Sequence, residues 1–196
     1  LRLPMSQRRS SAALAAFVLH GYDWSESSLI LDLFTRELGR VVAVAKGAKR
    51  PYSQLRPVLL PFQRVNVSFG RLAADDRERE VHNLRAAEWA GGTTMLRGEA
   101  LFAGFYLNEL LMNLLARHDP HVTLFDGYAA TLPGLAGDEL HAQAALRAFE
   151  LVLLREIGLL PDLGVVTLTR QPVQSGQSYA LRPEAGVVVS DSGEPV

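Results

Sequence analysis

The sequence predicts an α+β protein, in which a small β-barrel comes first, α-helices follow, and a short irregular β-like segment ends the chain. Short apolar segments with a period of two fill the N-terminal part, and apolar residues three or four positions apart follow Gly91 and Gly92. These are the patterns of strands and of helices, respectively. The length of 196 residues allows one large domain or two small ones. We therefore expect a flexible arm at residues 1–12, a barrel domain at 13–90 and a helical domain at 91–196.

Five short strands are predicted in the barrel domain. In residues 28–35, Leu29, Leu31 and Leu33 fall on one face and the residues between them fall on the other, as the alternation of a strand requires. Five such strands favour a small closed barrel, of the type that the OB-fold represents, over an open sheet. The predicted strands span residues 13–20, 28–35, 40–45, 62–69 and 79–86.

Three helices are predicted in the second domain, over residues 93–116, 121–132 and 138–157. Thr93 and Thr94 are candidate caps of the first helix, and Asp138 is the candidate cap of the third. Gly158 is expected to end the third helix in the left-handed conformation. After the helices, strand-like pieces are predicted at residues 165–169, 179–181 and 187–190.

The charge of the chain is divided unevenly. Residues 1–72 carry 11 Lys and Arg against 4 Asp and Glu, a net charge of +7, whereas residues 73–196 carry 9 against 17, a net charge of −8. Such an asymmetry indicates a polyanionic partner for the basic part. The alternative is a pair of domains whose surfaces attract each other.

The strongest candidate site is the basic loop, residues 46–57, in which Lys46, Lys49 and Arg50 flank Gly47. A phosphate backbone is bound by point charges and forked donors on an exposed path, and not by a deep pocket. We therefore expect this loop to bind nucleic acid, and the alternative is a solvated surface loop. Further cations on the same part of the chain are Arg56, Arg64 and Arg71.

Aromatic residues accompany the basic loop. Tyr22 and Trp24 lie in or beside a polar turn after the first strand, and Tyr52 lies in the loop itself. Proteins that bind single strands combine a cationic groove with aromatic faces on which bases stack. Tyr22 and Trp24 are therefore candidate binding residues, with half-buried packing as the alternative.

Several classes of function are disfavoured by what the sequence lacks. No cysteine is present, so disulfides and cysteine-based zinc sites are excluded. The phosphate-loop, nucleophile-elbow, paired-histidine zinc and dinucleotide-binding motifs are absent. His118 and His121 have no third ligand nearby in the sequence, and no apolar run is long enough for a membrane span. We expect a protein without catalytic activity, metal or cofactor that does not enter a membrane.

The sequence resembles the RecO family of bacterial recombination mediators, over residues 13–189. Each motif that carries the resemblance is short, and their order and spacing together are specific. The motifs lie at residues 20–28, 44–50, 60–62, 106–111, 124–125, 146–151 and 157–159.

The resemblance implies an N-terminal OB-fold and a helical C-terminal domain. It implies binding of single- and double-stranded DNA and annealing of complementary strands coated with single-strand-binding protein. It also implies work with RecR, and with RecF where present, to help load RecA in the cytoplasm at the nucleoid. By position, Lys46, Lys49 and Arg50 would contact DNA, and Gly47 would let the loop turn.

The resemblance further implies a docking site on the helical domain for the acidic tail of single-strand-binding protein. Arg147 would supply a cation there, with Leu153 and Leu159 forming an apolar pocket. Residues 165–178 lack the four-cysteine zinc module of many relatives, which indicates the cysteine-poor branch. The chain ends at residues 194–196, before relatives do, so the helical domain is expected to lack part of its wall if the chain is complete. A protein–protein adaptor and an RNA-binding barrel are the alternative functions.

Overall fold

A computed structural model describes residues 13–70, 81–92 and 95–190. The predicted arm at residues 1–12, Arg71, the predicted cap at Thr93 and Thr94, and the chain end at residues 194–196 lie outside this part of the chain. The elements are β1 (Leu14–Asp23), β2 (Leu29–Thr35), β3 (Gly39–Ala45), β4 (Arg64–Phe69), β5 (Val81–Trp89), α1 (Glu99–Leu114), α2 (Val122–Leu135), α3 (Glu139–Glu156), β6 (Tyr179–Arg182) and β7 (Gly186–Val189).

The first five strands close into a barrel with the order β1-β2-β3-β5-β4, which confirms the predicted fold class. Every pairing in it is antiparallel except that of β3 with β5, where Ala43 lies opposite His82. The inward-facing apolar side chains fill the interior, because successive side chains of a strand point to opposite faces. The barrel core includes Ala16, Val18, Leu31, Leu33, Val41, Ala43, Val65, Val67, Phe69 and Leu84.

The chain divides into two compact units, residues 1–149 and residues 150–196. The first unit contains the barrel together with α1 and α2, and the second contains the hairpin of β6 and β7. The domain boundary predicted at residues 90–91 stays a prediction.

Helix α2 covers part of the outer face of the barrel. Phe17 of β1 and Phe34 of β2 point outward, yet both are buried, because Phe125 of α2 lies 5.2 and 5.4 Å from their rings. Tyr128 adds an edge-on contact to Phe17 at 4.9 Å. Strand β2 is therefore buried on both faces, since one face lines the barrel and the other packs against a helix.

A buried hydrogen-bond chain joins the helices to β1. The Asn108 side-chain amide donates to the backbone carbonyl of Leu19 at 2.8 Å, and the Tyr128 hydroxyl donates to Asn108 Oδ1 at 2.5 Å. The register of β1 against β2 shifts between Val18 and His20, at the residue whose carbonyl Asn108 reaches. Burial raises the pKa of Tyr128 well above its ordinary value, so the phenol stays protonated and keeps donating.

Two predicted elements are wrong in detail. Helix α1 begins at Glu99 after Gly98, later than predicted, and no side chain caps it. Residues 167–169 form a turn, and Val165 makes only an isolated antiparallel bridge with Pro172 in place of the predicted strand. The Arg170 amide donates to the Val166 carbonyl, and the Val166 amide donates to the Gln171 carbonyl. Arg170 has a φ of 57°, which turns the backbone away from the extended direction. In contrast, the predicted left-handed end of the third helix at Gly158 is confirmed, with a φ of 74°.

Asp138 caps α3 as predicted and makes the stability of the protein depend on pH. Its carboxylate accepts the His141 backbone N–H at 3.0 Å and lies 2.7 Å from His141 Nδ1, and these bonds hold the pKa of Asp138 below its ordinary value. A carboxylate with a depressed pKa in the folded state stabilises the fold above its unfolded pKa, about 3.9. That stabilisation disappears as the pH falls through the folded pKa.

We therefore expect Asp138→Asn to match the parent chain in urea midpoint at neutral pH, because Asn caps helices about as well as Asp. Below about pH 4, where the parent loses the cap by protonation, the variant should lose less. Urea midpoints measured as a function of pH test this. Equal acid-induced losses in the two chains would show that Asp138 does not carry the pH dependence.

Candidate nucleic-acid interface

The basic loop is tied to the turn between β1 and β2. The Lys49 backbone N–H donates to the Ser27 carbonyl at 3.0 Å. The Lys49 ammonium lies 3.0 Å from Asp23 Oδ2 and donates to the Ser25 carbonyl at 3.2 Å. Loop and turn therefore form one continuous surface at one end of the barrel.

Gly47 gives the basic loop its tight turn. Its φ of 73° lies in the left-handed region that side chains disfavour, and its carbonyl accepts the Arg50 backbone N–H at 3.2 Å. A Cβ added to Gly47 would lie 3.5 Å from Arg50 Nε, so the Arg50 side chain lies over the glycine. The turn thus holds Arg50 beside the start of the loop.

The three cations of the loop are not equivalent. Lys46 and Arg50 are exposed, whereas Lys49 is half-buried and its ammonium already contacts Asp23. The sequence suggests three equal phosphate contacts. In the structure, Lys49 holds the loop against the turn, and Lys46 and Arg50 present their charge to solvent.

The aromatic residues near the loop also differ in how far their side chains are exposed. Trp24 is 65% exposed, in the turn that Lys49 contacts. Tyr22 is half exposed and packs against His20 at a ring distance of 4.4 Å, so part of its surface is covered. Tyr52, which was not among the predicted site residues, is 94% exposed at the tip of the basic loop.

Of the other predicted cations, Arg56 lies with the loop and Arg64 does not. Arg56 is exposed and lines a shallow cleft of about 530 Å³ with Tyr52 and Leu60. Arg64 pairs with Phe17 at the end of the barrel where β3 begins, roughly 16 Å along the strand from Ala45, after which the loop starts. A hydrogen bond from Arg36 holds the pKa of Asp126 below its ordinary value, and the nearby charge of Arg64 lowers it further.

The residues predicted to dock a protein tail have different environments. Arg147 is exposed on α3, and Leu159, which follows the helix, is 66% exposed. Leu153 is 2% exposed, so its side chain offers almost no surface to a partner. The docking site stays a prediction.

The residues that the structure describes contain no cluster of three or more His, Asp or Glu side chains arranged for a metal ion. The two histidines considered from the sequence point to different neighbours: the His118 ring lies 5.4 Å from that of His82, and His121 Nε2 lies 3.3 Å from Asp119 Oδ2. None of the helices within the described ranges combines the length and apolar character of a membrane span.

Comparison with known proteins identifies the family. The family model for the N-terminal part of recombination protein O matches residues 10–92, and that for the C-terminal part matches residues 95–190. The chain belongs to the RecO family. The DNA repair protein RecO of Variovorax paradoxus is 55% identical over 184 residues, which cover 91% of this chain and 69% of the relative.

Two further relatives bear the same name. That of Polaromonas naphthalenivorans is 56% identical over 183 residues, covering 93% of this chain and 70% of the relative. That of Verminephrobacter eiseniae is 51% identical over 191 residues, covering 97% and 74%. The resemblance that the short motifs suggested is therefore confirmed over nearly the whole chain.

Sequence reasoning missed two features of the candidate interface. The first is the pairing of Lys49 with Asp23, for which the negative charges of Asp23 and Glu26 in the turn after the first strand were the available signal. The second is the exposure of Tyr52, for which Pro51 beside it was the available signal, because proline favours turns at the surface.

Proposed function

We propose that this chain acts in DNA repair and homologous recombination by binding single- and double-stranded DNA at the basic edge of its barrel. The basic edge consists of Trp24, Lys46, Lys49, Arg50, Tyr52 and Arg56. The observation that carries the proposal is the exposure of Lys46, Arg50 and Arg56 beside exposed aromatic rings on a five-stranded closed barrel. Cations neutralise phosphates, and aromatic faces hold bases.

The proposed activity is that of a mediator and not of an enzyme. Two complementary strands repel each other through their phosphates, and a surface that neutralises them lowers this repulsion. We propose that the chain anneals complementary strands coated with single-strand-binding protein. We also propose that it acts with RecR, and with RecF where present, to help load RecA. The acidic tail of single-strand-binding protein would dock on the helical part, where Arg147 would supply a cation.

Replacing both Lys46 and Arg50 with alanine should weaken binding of a single-stranded oligonucleotide about tenfold near physiological salt. Each lost phosphate contact on a single strand reduces the slope of log affinity against log salt by about 0.7, so the slope should fall by about 1.4. Fluorescence anisotropy of a labelled oligonucleotide across a salt series measures both quantities.

Two single variants provide a matched control. Arg50→Ala and Arg64→Ala each remove one exposed arginine from a strand end or loop of the same barrel, but only Arg50 lies on the basic edge. We expect Arg64→Ala to bind nearly as the parent does. The proposed interface would be wrong if Arg64→Ala weakened binding as much as Arg50→Ala, or if the double variant kept the parent slope.

A further inference from the structure

The Tyr52 ring is exposed to solvent and is not part of the core. It is 94% exposed, so its side chain contributes almost nothing to the packing of the barrel. A ring left in water does not gain the free energy that burial of an aromatic side chain supplies. Its position therefore favours a binding role over a structural one.

The backbone around Tyr52 is held by several hydrogen bonds. The Ser53 amide donates to the Arg50 carbonyl at 3.0 Å, and the Leu55 amide donates to Ser53 Oγ at 3.3 Å. Leu55, Val58 and the buried Leu59 then pack against the barrel core. Tyr52 is thus carried on an anchored turn, which reduces the conformational entropy lost when a ligand stacks on its ring.

Cations line two clefts that share Tyr52. A cleft of about 500 Å³ is lined by Tyr52 with Lys46, Gly47 and Arg50. The cleft of about 530 Å³ is lined by Tyr52 with Arg56, Pro57 and Leu60. A strand that lies along the two clefts therefore meets cations from both, together with the ring of Tyr52.

We propose that Tyr52 stacks against an unpaired base and gives the basic edge its preference for single strands over duplex. The inference rests on the proposed function and assigns a distinct task within it. Phosphates of single and double strands are both available to Lys46, Arg50 and Arg56, since phosphates line the outside of a duplex. Bases in a duplex are stacked on one another, so only a single strand offers a free base face to Tyr52.

The test uses the full chain with a labelled single-stranded oligonucleotide and a duplex of equal length, measured by anisotropy across a salt series. Tyr52→Ala should weaken single-strand binding about tenfold, within the range that base stacking supplies, and leave duplex binding unchanged. The salt slope for the single strand should also stay unchanged, because no phosphate contact is lost. Tyr52→Phe and Tyr52→Trp should bind as the parent does, since both keep an aromatic face.

Phe102→Ala is the matched control, because Phe102 is 74% exposed on α1 and lies outside the basic edge. Thermal unfolding should be the same for the parent and Tyr52→Ala, given the exposure of the ring. The inference is overturned if Tyr52→Ala binds the single strand as the parent does, or if it loses single-strand and duplex binding equally. In either case the proposed function stands as long as the parent binds DNA, whereas a parent that binds neither substrate overturns both.

Discussion

Replacing Asp32 with alanine should lower the free energy of unfolding by about 3 kcal/mol, because it leaves the Arg40 guanidinium buried without its anion. The two side chains form a forked pair: Arg40 Nε donates to Asp32 Oδ1 at 2.9 Å, and Nη2 donates to Oδ2 at 2.7 Å. Their side chains are only 14% and 5% exposed. The remaining exposure of Arg40 places the loss at the lower end of the range for buried pairs.

Arg40 also joins β3 to the end of α1. Its Nη1 donates to the carbonyl of Met112 and, at 3.3 Å, to that of Leu115, carbonyls left without helical partners at a helix end. The hydrogen bonds that Arg40 donates to Asp32 raise the pKa of Arg40 in the parent chain. In the variant without Asp32 the side chain still cannot escape the missing anion by losing its proton, because a guanidinium stays charged in proteins even without a partner. A cation freed from Asp32 therefore remains charged, partly buried and attached to α1.

Urea unfolding measures the loss, and two variants define its cause. Asp126→Ala removes the partner of Arg36 from an ion pair whose side chains are 38% and 55% exposed, and should destabilise the chain far less. The double variant Asp32→Leu with Arg40→Met should recover part of the stability, because it removes both charges together. If Asp32→Ala and Asp126→Ala lowered the free energy of unfolding equally, burial of the Asp32–Arg40 pair would not be the cause of its contribution to stability.

Asp32 also shows how far the sequence predicts this fold. The alternation in residues 28–35 predicts the strand and places Asp32 on the face opposite the core, and both are correct. That this outer face is covered by helices, and that Asp32 is buried there, depends on contacts made by residues far along the chain, such as Met112. Local periodicity specifies which face a side chain takes and not what packs against it.

The same limit applies to the candidate interface. Lys46, Lys49 and Arg50 are three cations in five positions and nothing local distinguishes them. Their roles separate because the strand pairing of Leu29 with both Asp23 and Ala45 brings the turn after β1 against the loop after β3. The barrel type and the location of the positive charge could be predicted from the sequence. Which cation holds the loop and which are exposed depends on strand pairing in the closed barrel.

Replacing Gly39 with alanine should lower the free energy of unfolding by about 3 kcal/mol, from two additive causes. Gly39 begins β3 with a φ of 69°, a left-handed conformation that costs an alanine about 1–2 kcal/mol. A Cβ at this position would also overlap the backbone carbonyl of Asp119. The connection between α1 and α2 is held there, because the His118 amide donates to the Arg40 carbonyl at 2.9 Å.

Gly47→Ala separates the two causes. Its φ of 73° nearly matches that of Gly39, but its Cβ would make only ordinary contact, 3.5 Å from Arg50 Nε. It should therefore lose only the conformational part, about 1–2 kcal/mol. The difference between the two variants in the free energy of unfolding, measured in urea, gives the cost of placing a Cβ against Asp119. Faster hydrogen exchange of the His118 amide in Gly39→Ala would show that the disturbance lies at this connection. If Gly39→Ala and Gly47→Ala lost the same free energy of unfolding, the turn at Gly39 and the connection between α1 and α2 would be able to separate at no cost. Only the left-handed backbone would then require glycine at residue 39.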